Sequence, residues 1–441
     1  MFVGVGRILV CGGEKNEKCP TFPACWAAGT LTGGIMLISP EELVQQIHDS
    51  PTRIVLAATG GGSRAIADLL EVPGGSRTLL EALVPYSAPA ILAWLGAVPD
   101  GFCSAAMARA MAMAAFYRAR RYEAGASGEG RGTWGEAATD SPIPESPNPE
   151  IPKSPNLSAA LAGVACTASL ASDRPKRGPH RIHVALQTAQ LTAVWSLQLQ
   201  KDRRTRAEEE RLAGRLVLNA VAAACDVALR LKLDLLEGEQ VEESRTQAPP
   251  DWQDLLLGKV ESVGVGPSDR KPKVLFSGAF NPLHDGHRRM IEVAEGMLGE
   301  PAAIEISIVN VDKPPLDYIE IERRLAQFSA DRAVFLSRAA TFEEKSRLFA
   351  GTTFIAGADT LSRIADPRYY GGSPSACAGA IQQIADSGCR FLVFGRDAGD
   401  GFVGLADLDL PELLRTLCRE VPPEVFREDV SSTAIRKSGA W

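Results

Sequence analysis

The stretch KVLFSGAFNPLHDGHRRMIEVAEGML, residues 273–298, carries three local signals in immediate succession. KVLFSG (273–278) is short and apolar, which predicts a strand. RRMIEVAEGML (288–298) sets Met290, Ile291, Ala294, Met297 and Leu298 on one face of a helix. Between them lies AFNPLHDGH, with two of the chain's five histidines, His284 and His287, on either side of Asp285-Gly286. Strand, glycine-bearing loop and helix in that order put the loop beyond a strand's carboxyl end, where open parallel sheets bind ligands. The following helix N-terminus favours anions. Imidazoles donate hydrogen bonds to phosphate oxygens in either charge state, and Gly278 and Gly286 let a bulky group approach the backbone. Plainer readings are a zinc-binding pair, a solvated loop or a core turn. No third and fourth zinc ligands are obvious, and the order of elements favours phosphate.

Outward from this stretch, residues 270–441 alternate strand and helix. Strands are expected at 273–277, 304–309, 332–336, 353–356 and 390–394. Such alternation predicts an α/β domain with a doubly wound parallel sheet. Upstream, a helix is expected over 40–49, opened by Ser39-Pro40-Glu41-Glu42. A buried strand RIVLAAT (53–59), a GGGS turn and a helix over 64–71 follow. TLLEALVPYS (78–87) reads as helix or strand. Residues 104–124 form an Ala/Met-rich helix whose Met stripe suits a core better than a ligand face. Strands are expected at 161–172, 180–188 and 191–200, the last two closely paired, then a long helix over 208–231.

These elements divide the chain into an unassigned extension (1–35), an α/β domain (36–235), a linker (236–269) and the second α/β domain (270–441). Residues 125–156 are rich in Gly, Ser, Pro and Glu and predict a disordered insertion. Its three Ser-Pro pairs are candidate phosphosites or inert linker. The first 35 residues fit neither a secretory signal nor a transit peptide cleanly, and an organellar presequence stays open.

The whole chain of 441 residues is 45% hydrophobic and 23% charged, an ordinary globular mix. A net charge of -7 disfavours bulk nucleic-acid or anionic-membrane binding. No apolar run reaches the ~18 residues of a membrane span. Nine cysteines, odd in number and widely spaced, argue against a disulfide framework. An intracellular, reducing setting is expected, the cytoplasm first, with organelle or nucleus open.

HDGH (284–287) resembles the (T/H)xGH signature of the nucleotidylyltransferase superfamily. VSSTAIRKSGAW at the C-terminus resembles that superfamily's second signature, ISSTxIR. The resemblance covers 270–441 and implies a Rossmann-like fold with a triphosphate site. It implies that His284 and His287 contact ATP phosphates, and that Ser277, Gly278, Phe280, Asn281 and Gly286 shape the nucleotide loop. It also implies that Ser431, Ser432, Thr433 and Arg436 hold the outer phosphates. FSGAFNPLHDGH and FIAGADTLSRI (354–364) are similar to the nicotinamide mononucleotide (NMN) adenylyltransferases. That similarity makes Lys313, Gly357, Asp359 and Arg396 candidate acceptor contacts. Plainer roles are a helix N-cap for Asp359 and solvent for Lys313 and Arg396.

The implied reaction is transfer of AMP from ATP to NMN, giving NAD and pyrophosphate. Mg²⁺ would enter with ATP, and no protein-held metal is expected. Transfer of CMP or AMP to another phosphorylated acceptor is the near alternative. A non-catalytic nucleotide-binding scaffold is the distant one. A homo-oligomer is possible on either reading.

ATGGGSRAIADLLEVPGGSRTLLEALVPYS (58–87) resembles the C-terminal domain of the competence-damage protein CinA, a family of NMN deamidases. Aligned on Val72-Pro73-Gly74, the family's nucleophilic Ser falls on Thr59, its Glu on Ala58 and its Lys on Ile91. That implies a CinA-like fold without deamidase chemistry, leaving nucleotide binding or packing as the role of this half.

Overall fold

The computed structural model describes residues 38–96, 101–126, 160–174, 176–309, 315–397 and 401–427. Within these, residues 38–257 with 315–320 form one compact unit, and 258–309 with 321–427 the other. The expected insertion 125–156 lies outside the described residues, apart from the first two positions, which end a helix.

The first unit holds a six-stranded sheet. Its strands are β1 (Arg53–Thr59), β2 (Leu79–Leu83), β3 (Leu161–Ser169), β4 (His180–Thr188), β5 (Leu191–Leu199) and β6 (Val241–Gln247), in the order β2-β1-β3-β4-β5-β6. β2, β1 and β3 are parallel, and β3 through β6 pair antiparallel. Its helices are α1 (Pro40–His48), α2 (Arg64–Glu71), α3 (Gly75–Thr78), α4 (Ala88–Leu95), α5 (Ala105–Ala126), α6 (Arg206–Ala224) and α7 (Pro250–Leu257).

α1 starts where Ser39 and Glu42 exchange capping hydrogen bonds with each other's backbone. α5 lies directly on β3 because Gly163 has no side chain. A Cβ there would sit 2.1 Å from the Ala112 carbonyl oxygen. Met107, Met111 and Met113 of α5 are buried, so the methionine stripe is core. α6 stops at Ala224, seven residues before the expected 231. Asn219 reaches from it to the backbone N–H and carbonyl of Leu231, at 2.7 and 3.0 Å, and folds the following segment back. The expected linker 236–269 is largely built structure. β6 pairs along its whole length with residues 191–197 of β5, and α7 buries Trp252, Leu255 and Leu256. β6, VEESRTQ, is an edge strand with mostly exposed residues, so its sequence lacks apolar alternation.

The second unit holds a seven-stranded sheet of β7 (Ser262–Val265), β8 (Val274–Ser277), β9 (Ala302–Ser307), β10 (Val334–Ser337), β11 (Thr353–Gly357), β12 (Arg390–Phe394) and β15 (Cys418–Glu420). A two-stranded ribbon, β13 (Arg396–Asp397) with β14 (Phe402–Val403), follows β12. Its helices are α8 (Asp285–Leu298), the end of α9 (Tyr318–Leu325), α10 (Phe342–Leu348), α11 (Ala358–Ile364), α12 (Pro374–Asp386) and α13 (Glu412–Thr416). The sheet order is β15-β12-β11-β8-β9-β10-β7, parallel except for β7. From β8 the chain winds through β9 and β10 to one side, then through β11, β12 and β15 to the other. This is the doubly wound, Rossmann-like arrangement the sequence predicts. Its direction reverses between β8 and β11, and such a reversal opens a crevice at the carboxyl ends of the two strands.

Candidate nucleotide site at the strand-order reversal

β8 and β11 are paired as far as Phe276 with Ile355. Gly278 and Gly357 each lie two residues further on, so the two loops leave the sheet side by side. Gly278 donates its N–H to the Glu305 carbonyl of β9 at 3.1 Å. Phe280 then turns at φ +44°, a left-handed conformation costing an L-residue about 1–2 kcal/mol. Its ring is 1% exposed and meets Phe276, Phe328 and His287 edge-on, with centroids 5.2, 5.3 and 5.2 Å away. Folded back in this way, it fills the space a side chain on Gly278 would need. A Cβ there would lie 2.8 Å from the ring. Phe280 is therefore the buried anchor of the loop. Asn281 precedes a cis bond to Pro282 and accepts from Arg323 at 2.5 Å.

α8 begins at Asp285, earlier than the sequence suggested, so His284 is its N-cap and His287 lies in its first turn. Gly286 between them is buried. The His284 backbone N–H donates to His287 Nδ1 at 3.3 Å, and the two imidazoles stack with centroids 3.7 Å apart. Because Nδ1 accepts, the proton of neutral His287 resides on Nε2, ready to donate. Burial, followed by the neighbouring His284, pushes the His287 pKa down to about 3. Burial also lowers that of His284, which Asp285 partly offsets. Both rings are thus neutral donors at physiological pH. Two buried polar atoms here, His284 Nδ1 and Ser277 Oγ, make no hydrogen bond among the described residues.

On the β11 side, Gly357 is the N-cap of α11, so Asp359 lies in the helix's first turn and does not cap it. Arg396, just past β12, pairs with Asp359 at 2.7 Å, and each side chain is 53% exposed. Lys313, Ser431, Ser432, Thr433 and Arg436 lie outside the described residues. Among the described residues, no group of three or more His, Cys, Asp or Glu gathers to hold a metal, and no helix is long and apolar enough to cross a membrane.

Three side chains the sequence did not single out hold the loop from residues 323–327. Beside Arg323, the mostly buried Arg324 donates to the Ala279 carbonyl at 3.0 Å. Gln327 accepts from Leu283 N–H at 2.8 Å and donates to the Phe280 carbonyl at 2.9 Å. ERRLAQF (322–328) reads only as the end of a charged helix, so nothing local marks these contacts. Nor did the sequence mark Glu305, fully buried on β9, whose carboxylate takes Lys345 Nζ at 2.7 and 2.8 Å and the Ser337 hydroxyl.

In the first unit, Ala58 and Ile91 are buried apolar core residues, and Thr59 is 6% exposed. The loop after β1 is occupied from within. Glu210 of α6 accepts from Gly62 N–H (3.1 Å), the Ser63 hydroxyl (3.0 Å) and Arg64 N–H (3.2 Å).

Residues 275–438 match the family model "Cytidylyltransferase-like", a span that takes in both HDGH and the SSTAIR stretch. This match supports nucleotidyl transfer as the activity of the second half. No curated protein matches the chain. Among solved structures, the competence/damage-inducible protein CihA of Agrobacterium tumefaciens is similar at 19% identity and a TM-score of 0.30, covering 43% of this chain and 98% of that one. A CinA-superfamily protein of Escherichia coli is similar at 15% identity and 0.28, covering 44% and 99%. One from Enterobacter cloacae stands at 13% and 0.24, covering 53% and 92%.

Proposed function

We propose that the second half is an adenylyltransferase that transfers AMP from Mg-ATP to the 5′-phosphate of NMN, releasing pyrophosphate and forming NAD. The observation that carries this reading is the stacked, neutral His284–His287 pair at the start of α8, beside the point where strand order reverses. A triphosphate laid across that start meets the helix N-terminus and two neutral N–H donors. Mg²⁺ arrives with the nucleotide and neutralises part of its charge.

An oxygen of the acceptor phosphate attacks the α-phosphorus. A new P–O–P bond forms, the bond between the α-phosphorus and the bridging oxygen to the β-phosphorus breaks, and pyrophosphate leaves with that oxygen. The attacking phosphate is already anionic, so no general base is required. The protein's share is alignment and stabilisation of charge as it shifts onto pyrophosphate. His287 donates from Nε2 to a phosphate oxygen in this scheme. Ser431, Ser432, Thr433 and Arg436 complete the phosphate cradle from the C-terminal stretch, with Lys313 as a further cation. Asp359 and Arg396 face the acceptor and exchange their mutual ion pair for contacts with it.

The first half, with Ala58 and Ile91 in place of a Glu and a Lys, is assigned no deamidase step.

The test is incubation of the full chain with Mg-ATP and NMN, and in parallel with Mg-CTP and other phosphorylated acceptors, measuring pyrophosphate and product. NAD formation by wild type supports the reading. Product from another pair keeps the chemistry and changes the substrate. Nucleotide binding without product from any pair overturns it in favour of a scaffold.

A further inference from the structure

We infer that Gln327 is a positioning residue for the histidine pair, a side-chain clasp that sets the loop from which His284 and His287 are presented. The inference deepens the reading just given, since the loop matters to catalysis only if it holds phosphate.

Gln327 bonds the loop backbone on both sides of Pro282. Its Oε1 accepts from Leu283 N–H at 2.8 Å, and its Nε2 donates to the Phe280 carbonyl at 2.9 Å. The amide spans the peptide segment as a neighbouring strand would, satisfying one donor and one acceptor where β8 has left the sheet. Nε2 also lies 3.2 Å from the Arg324 carbonyl, which fixes the amide from its own side. The next residue, Phe328, packs edge-on against the ring of Phe280. Positions 327 and 328 therefore hold the peptide and the side chain of the same left-handed residue.

Leu283 immediately precedes His284, whose N–H selects the His287 tautomer. The chain of contacts runs from the Gln327 amide to Leu283, to His284, to the imidazole of His287. A Gln is needed because the two loop groups are of opposite kind. Glutamate keeps the acceptor and loses the donor. Methionine keeps the volume and loses both.

The experiment compares wild type, Gln327→Met and Gln327→Glu as full chains. It measures pyrophosphate release with Mg-ATP and NMN and with Mg-CTP and phosphorylated acceptors, and records the imidazole NMR signals of His284 and His287. Gln327→Met is expected to lower kcat about 100-fold, the size of effect that about 1 Å of misplacement produces, with the nucleotide KM within about threefold. Gln327→Glu is expected to lie between it and wild type. Both histidine signals are expected to move in Gln327→Met. A kcat within about threefold of wild type, or unmoved signals, overturns the inference. If Gln327→Met fails to fold by circular dichroism, Gln327→Glu decides by the same two readouts. If wild type turns over no pair, the adenylyltransferase reading fails by itself, and the histidine signals alone decide whether the clasp exists.

Discussion

His287 accepts the backbone N–H of His284 while stacking on its ring at 3.7 Å. One imidazole is thus oriented by the other's main chain. His287→Ala removes the donor but leaves the loop's anchor, Phe280, in place. Turnover is expected to fall by about two orders of magnitude or more, with the circular dichroism spectrum retained. Pyrophosphate release under saturating nucleotide is the measurement, and near-normal turnover removes His287 from the mechanism.

Acid should destabilise the protein through the same ring. An unfolded histidine titrates near 6.5, whereas burial holds His287 down to about 3, and His183 to about 4. Between those values the unfolded chain binds more protons, so stability falls as pH drops from about 6.5 towards 3. Denaturant midpoints across that window should show the slope, and His287→Ala should flatten it. In the ligand-free protein, an NMR titration should find His287 neutral at pH 5.

Gly278→Ala tests the loop's packing. The new methyl group would meet a buried ring at 2.8 Å. The expected cost is about 1–3 kcal/mol of overpacking, read as a lower denaturant midpoint, together with reduced turnover because the ring borders His287.

The Glu305–Lys345 pair predicts an asymmetry. Lys345→Met leaves a fully buried carboxylate without its cation and should cost about 3–5 kcal/mol, whereas the double variant Glu305→Leu/Lys345→Met should be near neutral. Urea denaturation of the three proteins measures both. A double variant as damaged as the single one would assign the pair a role beyond charge compensation.

Asp359 and Arg396 are half-exposed, so their ion pair contributes under about 1 kcal/mol to stability. Arg396→Ala should leave the melting temperature within a few degrees. It should raise the acceptor KM about tenfold, the worth of one charge-assisted hydrogen bond, with little change in the nucleotide KM.

What could be read from the sequence depended on whether a residue's role is local. β8, its loop and α8 announce themselves through an apolar run, glycines and helical periodicity, all within one short window. The alternation of strands and helices then predicts a doubly wound sheet, whereas the place of the reversal, between β8 and β11, is fixed by strand pairing that alternation does not encode. β6 escaped because an exposed edge strand carries no apolar alternation. Gln327, Arg323 and Arg324 escaped because their partners lie about 40 residues away, and polar side chains on a helix end carry no mark of what they hold. The early end of α6 escaped because Asn219 acts on Leu231 through tertiary hydrogen bonds.

The pairing of β8 with β11 also bears on how the chain reaches its native state. Val274 and Thr353 lie 79 positions apart, and they pair only after the chain between them has been gathered in. β9 and β10 can assemble against β8 first, but the crevice exists only when β11 arrives. Closing so long a loop costs entropy before any contact is gained. The two strand ends flanking the candidate site should accordingly be among the last parts of this sheet to acquire protection from hydrogen exchange during refolding, and a nucleotide that binds across them would favour the completed sheet over every state before it.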